Sequence, residues 1–437
     1  MSEVMIITII GVGFILLLVA GMYIHSVLLL AGMGGLFLLD GFDLLAGLVG
    51  SQPFGRSASY TLTTIPLFIL MAQFILQAGI VKDIFHIVNR LARGRRGVLG
   101  TLTLVAGSLL GAVSGSGTAT AASLGQVAVP ELRKHGFSPP LAGAMAASAG
   151  SMSGIIPPSI ILILYGVATE TSVGGLFIGA VIPGIMVTLV FVAIMVWYLR
   201  RSAAEWENKS STPELPDEVG ARQVIISVVV SIAVGAVVFG GIYSGMVTPT
   251  EAGAIGAFAG LLAALGLGKV NLGFLQRSLM ETVKVTVMVM LILIGAQVFG
   301  RFVSLSLIPR RLIAFLEPVV ERPFLMLMIL AVLFFVLFMF IEGAAVILMS
   351  IPVVLPIVQA METDVLWFGV FVGVICTVGL ITPPVGLSVY AVSGTTGISS
   401  DAIFRYTTVF AAAAALIVCG LMIIFPELAL WLPARGS

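Results

Sequence analysis

The chain is poor in the residues from which enzymes and soluble domains are built. Only 9% of its 437 residues are charged, it holds 3 histidines and 2 cysteines, and its longest hydrophilic stretch runs only from 200 to 222. Cys376 and Cys419 both sit inside apolar runs, which argues against a disulfide framework and against a thiolate metal site. His25, His86 and His135 are scattered and flank basic or loop residues, a distribution that suits interfacial or packing roles better than proton relay or metal binding. A formal net charge of +1 implies no nucleic-acid partner. With so few polar residues in apolar segments, no catalytic constellation can be assembled, and the chain does not read as an enzyme or as a cofactor carrier.

What is abundant is apolar sequence. The composition is 59% hydrophobic with 50 glycines, and the mean hydropathy is +1.19, far outside the range of soluble domains. Apolar windows of roughly 17 to 25 residues recur along the chain, on the order of ten to twelve spanning or re-entrant segments in a lipid bilayer. The chain is therefore expected to be all-α and polytopic, one membrane body with a linker at its middle, and any soluble partner must be a separate chain. Its start, Met-Ser-Glu-Val, lacks a basic region, so the first apolar segment reads as an anchor.

Two proline pairs interrupt this apolar background, in Gly-Ile-Ile-Pro-Pro-Ser at 154–159 and Leu-Ile-Thr-Pro-Pro-Val at 380–385. Each proline removes a backbone donor and blocks the helix around it, so within a bilayer each pair breaks a helix. Pro157-Pro158 and Pro383-Pro384 lie 226 residues apart, and the same offset carries Ser116 to Glu342, Gly117 to Gly343 and Pro130 to Pro356. Matches at neighbouring offsets, Ala72-Gln73 with Ala296-Gln297 and Leu176-Phe177 with Ile403-Phe404, extend the pattern. The chain thus reads as a duplication, 1–199 and 223–437, joined by a linker at 200–222. Paired broken segments in corresponding halves are the mark of secondary transporters, with the site near the membrane midplane.

The first half reads as spans near 4–20, 23–39 and 60–78, followed by an amphipathic stretch at 80–96 suited to the headgroup plane. Residues 98–131 are apolar but interrupted at Ser114-Gly115-Ser116-Gly117-Thr118, which predicts a re-entrant hairpin of two short pieces. A discontinuous helix at 138–169 and a returning span at 173–199 complete the unit. In the second half the hairpin falls at 324–360, with its tip at 341–344, and the discontinuous helix at 365–396. Tracing the chain with the first hairpin's basic flanks in the cytoplasm puts fifteen of the 21 basic residues on that side. Arg56, Arg301, Arg310, Arg311, Arg322 and Arg435 fall outside, both termini are periplasmic, and the two halves are inverted relative to each other.

The first tip offers three hydroxyls on a backbone that turns freely, the kind of oxygen cage that a hard alkali cation needs. Carbonyls freed around Gly154, Ile155 and Ile156, with the hydroxyls of Ser153 and Ser159, complete it. In the second half Gly379, Leu380, Ile381 and Thr382 do the same with the tip at 341–344. Half-helix N-termini at the midplane suit an anion, which places Ser116, Gly117, Thr118, Pro157, Pro158, Gly343, Pro383 and Pro384 around an organic acid substrate. Oxygen cages beside positive helix ends describe a cation-coupled symporter of organic anions. Glu342 is an acid in a strongly apolar run, and three roles stay open for it: the second cation site, support of the tip, or proton carriage. Gln73 and Gln297 read as interhelical hydrogen-bond glue and the glycines of Gly32-Met-Gly-Gly35 as packing residues. Glu251, after Thr248-Pro-Thr250, reads as a helix cap, and Glu170 as an end-of-helix residue.

Five segments together carry a resemblance: Ser-Gly-Ser-Gly-Thr-Ala-Thr-Ala-Ala at 114–122, Pro-Glu-Leu at 130–132, Ile-Ile-Pro-Pro-Ser at 155–159, Leu-Phe-Ile-Gly-Ala-Val-Ile-Pro-Gly at 176–184 and Thr-Pro-Pro-Val-Gly-Leu at 382–387. In this order they resemble the large membrane subunit of TRAP transporters, the DctM-like family, over essentially the whole chain. The resemblance implies sodium-driven uptake of carboxylate-bearing solutes across the cytoplasmic (inner) membrane of a bacterium or archaeon, by an elevator motion. A block of hairpins and broken helices would move against a scaffold of the remaining helices. Two partners are implied as well, a small membrane subunit of about four helices and a periplasmic substrate-binding protein. The chain starts directly at the large-subunit pattern, so the small subunit is expected as a separate chain.

Carried over by position, one sodium site would use Ser114, Ser116 and Thr118 with Gly154, Ile155 and Pro157. The other would use Glu342 and Gly343 with Gly379, Ile381 and Thr382. The family's second tip is expected to bear Asp, and Glu342 is the acid that stands there instead. A stand-alone sodium/anion symporter of related architecture, needing no binding protein, is the alternative, with a channel behind it. C4-dicarboxylates, keto acids and sugar acids all fit the pattern.

Overall fold

A computed structural model of the chain describes residues 2–57, 60–114, 116–206, 236–316 and 322–436, with isolated positions at 226, 229, 233 and 319. The predicted linker at 200–222 lies outside the described residues from 207 onward, as does Gly115. Among the described residues the structure is helices and short turns without strands. Eight helical segments are long and apolar enough to cross a membrane, and Glu3–Val19, Arg96–Gly111, Ile160–Thr169 and Val365–Gly379 are shorter apolar helices. Long aliphatic side chains such as Leu189, Leu262, Val283 and Val332 are exposed along them, as expected of surfaces that face lipid.

The chain opens with α1 (Glu3–Val19), α2 (Ile24–Ser57, kinked at Asp40 and Gly41) and α3 (Thr64–Gln77). The amphipathic arm α4 (Ile80–Ala92) follows, bounded by left-handed Gly79 and Arg93. Next come α5 (Arg96–Ser114) and α6 (Gly117–Lys134), then α7 (Pro139–Ser151) and α8 (Ile160–Thr169), then α9 (Val173–Gly179) and α10 (Val181–Trp206). After the linker stand α11 (Pro249–Gly266), α12 (Leu272–Leu305) and a short arm α13 (Ile308–Phe315). Then follow α14 (Pro323–Phe340), α15 (Gly343–Ala360), α16 (Val365–Gly379), α17 (Leu387–Thr396) and α18, which runs over Ser400–Ile424.

Glu251 caps α11 as expected: its carboxylate accepts from Thr248 N–H at 2.7 Å while the Thr248 hydroxyl accepts from Glu251 N–H, a reciprocal capping box. The sequence of long helix, arm, paired helices, broken helix and returning helix thus occurs twice, over α3–α10 and over α12–α18. Sequence reading missed the second arm. Its pattern was there, since Pro309-Arg310-Arg311 opens a short run in which basic residues and Leu312, Ile313 and Phe315 divide between two faces. Arg311 of this arm pairs with Glu3 of α1.

Both paired segments are antiparallel hairpins. On α5, Gly100 lies by Phe137 and Gly111 by Ser153, whereas α6 runs back, with Gly117 by Ser153 and Gly150 of α7 against Ala121. In the second hairpin Phe334 packs on Phe368 and Gly379 lies on Phe338, so α14 runs along α16. Gly343 begins α15 beside Cys376, and the helix then runs back past Gly300 at Pro352. The arms of the first hairpin have 19 and 18 residues, about 28 Å each at 1.5 Å per residue, longer than the two short pieces expected. Pro130 and Pro356 lie inside α6 and α15 without ending them, and the basic ends Arg96, Arg133 and Lys134 are themselves helical.

Packing divides the molecule. In one body α2 crosses α12 at glycines: a Cβ on Gly32 would come 2.6 Å from the Phe299 nitrogen, and one on Gly295 would come 2.8 Å from the His25 carbonyl. Lipid tails are as apolar as leucine, so such close backbone approach supplies the attraction between membrane helices, and the packing reading of Gly32 holds. In the same body α3 meets α11, where Thr64 and Thr250 share a buried hydrogen bond of 2.6 Å. The other body holds the hairpins and broken helices. Helices α10 and α18 meet each other through the rings of Phe191 and Phe410, and they pack against this body through Met195 on Gly100 and Ile403 on Gly143. These two helices were expected on the scaffold, and their bulky faces instead fill the flank of the hairpin body.

Candidate functional site

Both breaks form where the sequence placed them. After Ser151 the helix tightens into a turn over Met152–Gly154, passes Pro157-Pro158 and restarts at Ile160. Ser159 caps the restart, accepting from Leu162 N–H and donating to the Gly154 carbonyl at 3.0 Å. After Gly379 the second helix pauses through Thr382 and Pro383-Pro384 and restarts at Leu387 behind the left-handed Gly386. Both proline pairs are cis. Here the Val378 carbonyl accepts from Thr382 Oγ1 at 2.7 Å, the Gly379 carbonyl from Thr382 N–H at 3.1 Å, and the Leu380 carbonyl from Ser388 N–H at 3.1 Å. The Val378 carbonyl also accepts from Ile381 N–H, whereas those of Gly379 and Leu380 each keep one lone pair for a further donor or cation.

The two tips are built alike. Ser116 is the N-cap of α6 and accepts from Ala119 N–H; Glu342 is the N-cap of α15 and its carboxylate accepts from Ala344 N–H at 2.9 Å. These are the two residues that the 226 offset pairs. At the first tip the hydroxyls of Ser116 and Thr118 share a hydrogen bond of 3.2 Å, which holds both oxygens together. The side chain of Ser114 lies outside the described residues.

Three close approaches bring the predicted residues together. A Cβ on Gly117 would stand 3.0 Å from Leu380 and 3.2 Å from the Ser153 hydroxyl, so the first tip touches both breaks. A Cβ on Gly154 would stand 3.1 Å from Thr377 Oγ1 and 3.4 Å from the carbonyl of Gly373, so the breaks lie against each other. Gly343 packs on Ile161 and on Cys376 Sγ, and the Met339 carbonyl accepts from Gly386 N–H at 3.1 Å, which ties the second tip to α8 and the second break. Each half of the chain therefore inserts its broken helix between the hairpins of both halves. Ser153, Gly154, Ile155, Pro157, Pro158, Ile381 and Thr382 are all buried there except Pro383 and Pro384, which lie nearer the surface of the break.

Cys376 and Thr377 belong to this centre and were not singled out from sequence. Thr377 was findable, since the 226 offset pairs it with Ser151, and both are fully buried hydroxyl residues one turn before a break. Glu342 looks another way: with Ala345 it lines a cavity of about 510 Å³ whose far wall is Tyr23, His25, Lys284 and Met288 of the α2–α12 body. Gln297 departs from its expected role as glue, because its amide oxygen is buried without a hydrogen-bond partner.

Among the described residues the arrangement gathers hydroxyl and carbonyl oxygens and helix N-termini at two apposed breaks, and it suits ions and anions in transit. A family model described as "Tripartite ATP-independent periplasmic transporter, DctM component" matches residues 11–428. The chain belongs to this family.

Among curated DctM relatives, the C4-dicarboxylate TRAP transporter large permease protein DctM of Pseudomonas aeruginosa is 31% identical over 353 residues, covering 80% of this chain and 81% of the relative. The sialic acid TRAP transporter large permease protein SiaM of Vibrio cholerae is 29% identical over 427 residues, 96% of this chain and 97% of the relative. Among solved structures, the YdaH transporter of Alcanivorax borkumensis superposes with a TM-score of 0.62 at 16% identity, covering 89% of this chain and 90% of that one, which shows a shared fold. As a DctM-family chain the protein is a multi-pass TRAP permease component and not an enzyme.

Proposed function

We propose that this TRAP permease imports organic acid anions by sodium symport across the cytoplasmic membrane. A periplasmic binding protein delivers the solute, and a small membrane subunit of about four helices completes the complex. The carrying observation is the contact of the Ser116–Thr118 tip with both broken helices at Gly117. It places two paired hydroxyls beside two interrupted backbones, an oxygen-rich cage for one sodium ion as co-substrate. Tip and break of the second half, Gly343 with Gly379, Ile381 and Thr382, offer a second such region that Glu342 supports by capping α15, and the substrate carboxylate lies between the helix N-termini.

The two halves are read as an inverted repeat, 1–199 and 223–437, with both termini periplasmic. The hairpins, broken helices, α10 and α18 move as one block against α1–α3, α11 and α12, and the arms α4 and α13 hold the block in the headgroup planes. The solute class is a carboxylate such as the C4-dicarboxylates and sialic acid named for the relatives.

The test is sodium titration of uptake by the reconstituted complex. Ser116→Ala and Thr118→Ala are each expected to weaken apparent sodium affinity about tenfold, the equivalent of about 1.4 kcal/mol, while membrane insertion and assembly persist. Unchanged sodium dependence in both variants would remove the assignment.

A further inference from the structure

A second cavity, of about 650 Å³, lies between the two bodies, within the roughly 300 to 1,000 Å³ range typical of small-molecule sites. Its scaffold wall is α12, which contributes Gln297, Arg301 and Ser304, with Thr61 just before α3. Its other wall is the end of α8, with Glu170 and Thr171, and the far part of α15 around Pro352. The cavity is separate from the tips, since α15 begins at Gly343 against Ile161, while Pro352, nine positions on, is the residue that meets Gly300.

The polar equipment of this cavity is specific. Arg301 is an exposed guanidinium, a donor fork that matches a carboxylate bidentately. One turn before it on the same helix, the amide oxygen of Gln297 is buried without a partner, and a buried acceptor left unsatisfied is destabilising. A solute carrying both a carboxylate and a hydroxyl or amide N–H answers both at once. The hydroxyls of Thr61, Thr171 and Ser304 surround them. Glu170 closes the opposite wall beside Thr171.

We propose that this cavity is a vestibular carboxylate site, with Arg301 holding the carboxylate and Gln297 accepting from a neighbouring hydroxyl or N–H of the solute. It rests on the reading of the chain as an organic-anion permease. It adds a stage to that reading, a holding position on the scaffold side that is independent of sodium and of the hairpin tips. On the proposed topology Arg301 faces the periplasm, the side from which the binding protein delivers.

The experiment places a reporter, Ser304→Cys, in the complete permease complex in nanodiscs. Labelling at position 304 by a charged thiol reagent is read by peptide mass, in the presence of succinate, pyruvate, gluconate or sialic acid as probes. At least one probe is expected to slow labelling about fivefold at several times its dissociation constant, equally with and without sodium. Adding Arg301→Gln abolishes the protection, and Arg301→Lys keeps part of it. Protection survives Ser116→Ala with Thr118→Ala. Labelling indifferent to every probe, or protection that persists unchanged in Arg301→Gln, overturns the site. Protection that stands while uptake ignores the sodium gradient leaves the site intact and overturns the symport reading alone.

Discussion

Ser116 and Glu342 hold the same place in two hairpins and do the same local job with different chemistry, each capping the helix that follows. Both were legible as special from sequence, Ser116 because it lies in a run of hydroxyls and glycines, Glu342 because an acid in an apolar segment is costly. What each touches was not legible, because side-chain direction at a tip depends on the backbone of the turn. Extended backbone at Ile341 and Glu342 turns the carboxylate onto Ala344 N–H and toward the α2–α12 wall. Of the three roles open for Glu342, tip support is the one with a hydrogen bond behind it. Glu342→Ala is therefore expected to lower the stability of the purified complex by about 1 kcal/mol, and Glu342→Ser to restore most of it. Thermal unfolding followed in detergent measures this; equal losses in both variants would assign Glu342 to something other than capping.

Elements were legible wherever composition changed abruptly. The proline pairs, the hydroxyl-rich interruption and the basic arm at 80–96 each gave a break, a tip or an amphipathic helix at the expected place. The second arm, only eight residues long, was hidden because a pattern that short holds barely two turns of periodicity. The pieces of the first hairpin were expected shorter because the interruption at 114–118 was given more of the chain than the tip takes, whereas the second hairpin spans almost the residues expected. The crossing of α6 with α7 depends on Gly150, where a Cβ would lie 2.6 Å from the backbone nitrogen of Ala121. Backbone cannot yield as a flexible side chain does. Gly150→Val should cost at least about 1 to 3 kcal/mol and lower both the unfolding temperature and the yield of the complex. A variant as stable as the parent would show that the two helices separate more readily than their spacing implies.

For the whole molecule, the repeated order of elements was readable because one offset, 226, joins several motifs, whereas which helices pack together was not, since it depends on which apolar faces meet. The placement of α10 and α18 shows this, as hydropathy alone does not distinguish a helix riding on the block from one in the scaffold. The proposed motion predicts different fates for two cross-links. Gly300 of α12 and Pro352 of α15 lie across the body boundary, with 3.2 Å between a Gly300 Cβ and that of Pro352, close to disulfide spacing. Gly300→Cys with Pro352→Cys should stop transport on oxidation and recover it on reduction. Thr64→Cys with Thr250→Cys, whose side-chain oxygens lie 2.6 Å apart within the scaffold, should cross-link without that effect.

The most direct measurement is solute uptake into proteoliposomes holding this chain with its small subunit, with sodium gradient and binding protein supplied separately and together. Sodium-coupled import by a TRAP permease predicts accumulation only when both are present. Accumulation driven by the sodium gradient with no binding protein, or flux that ignores the gradient, would contradict it.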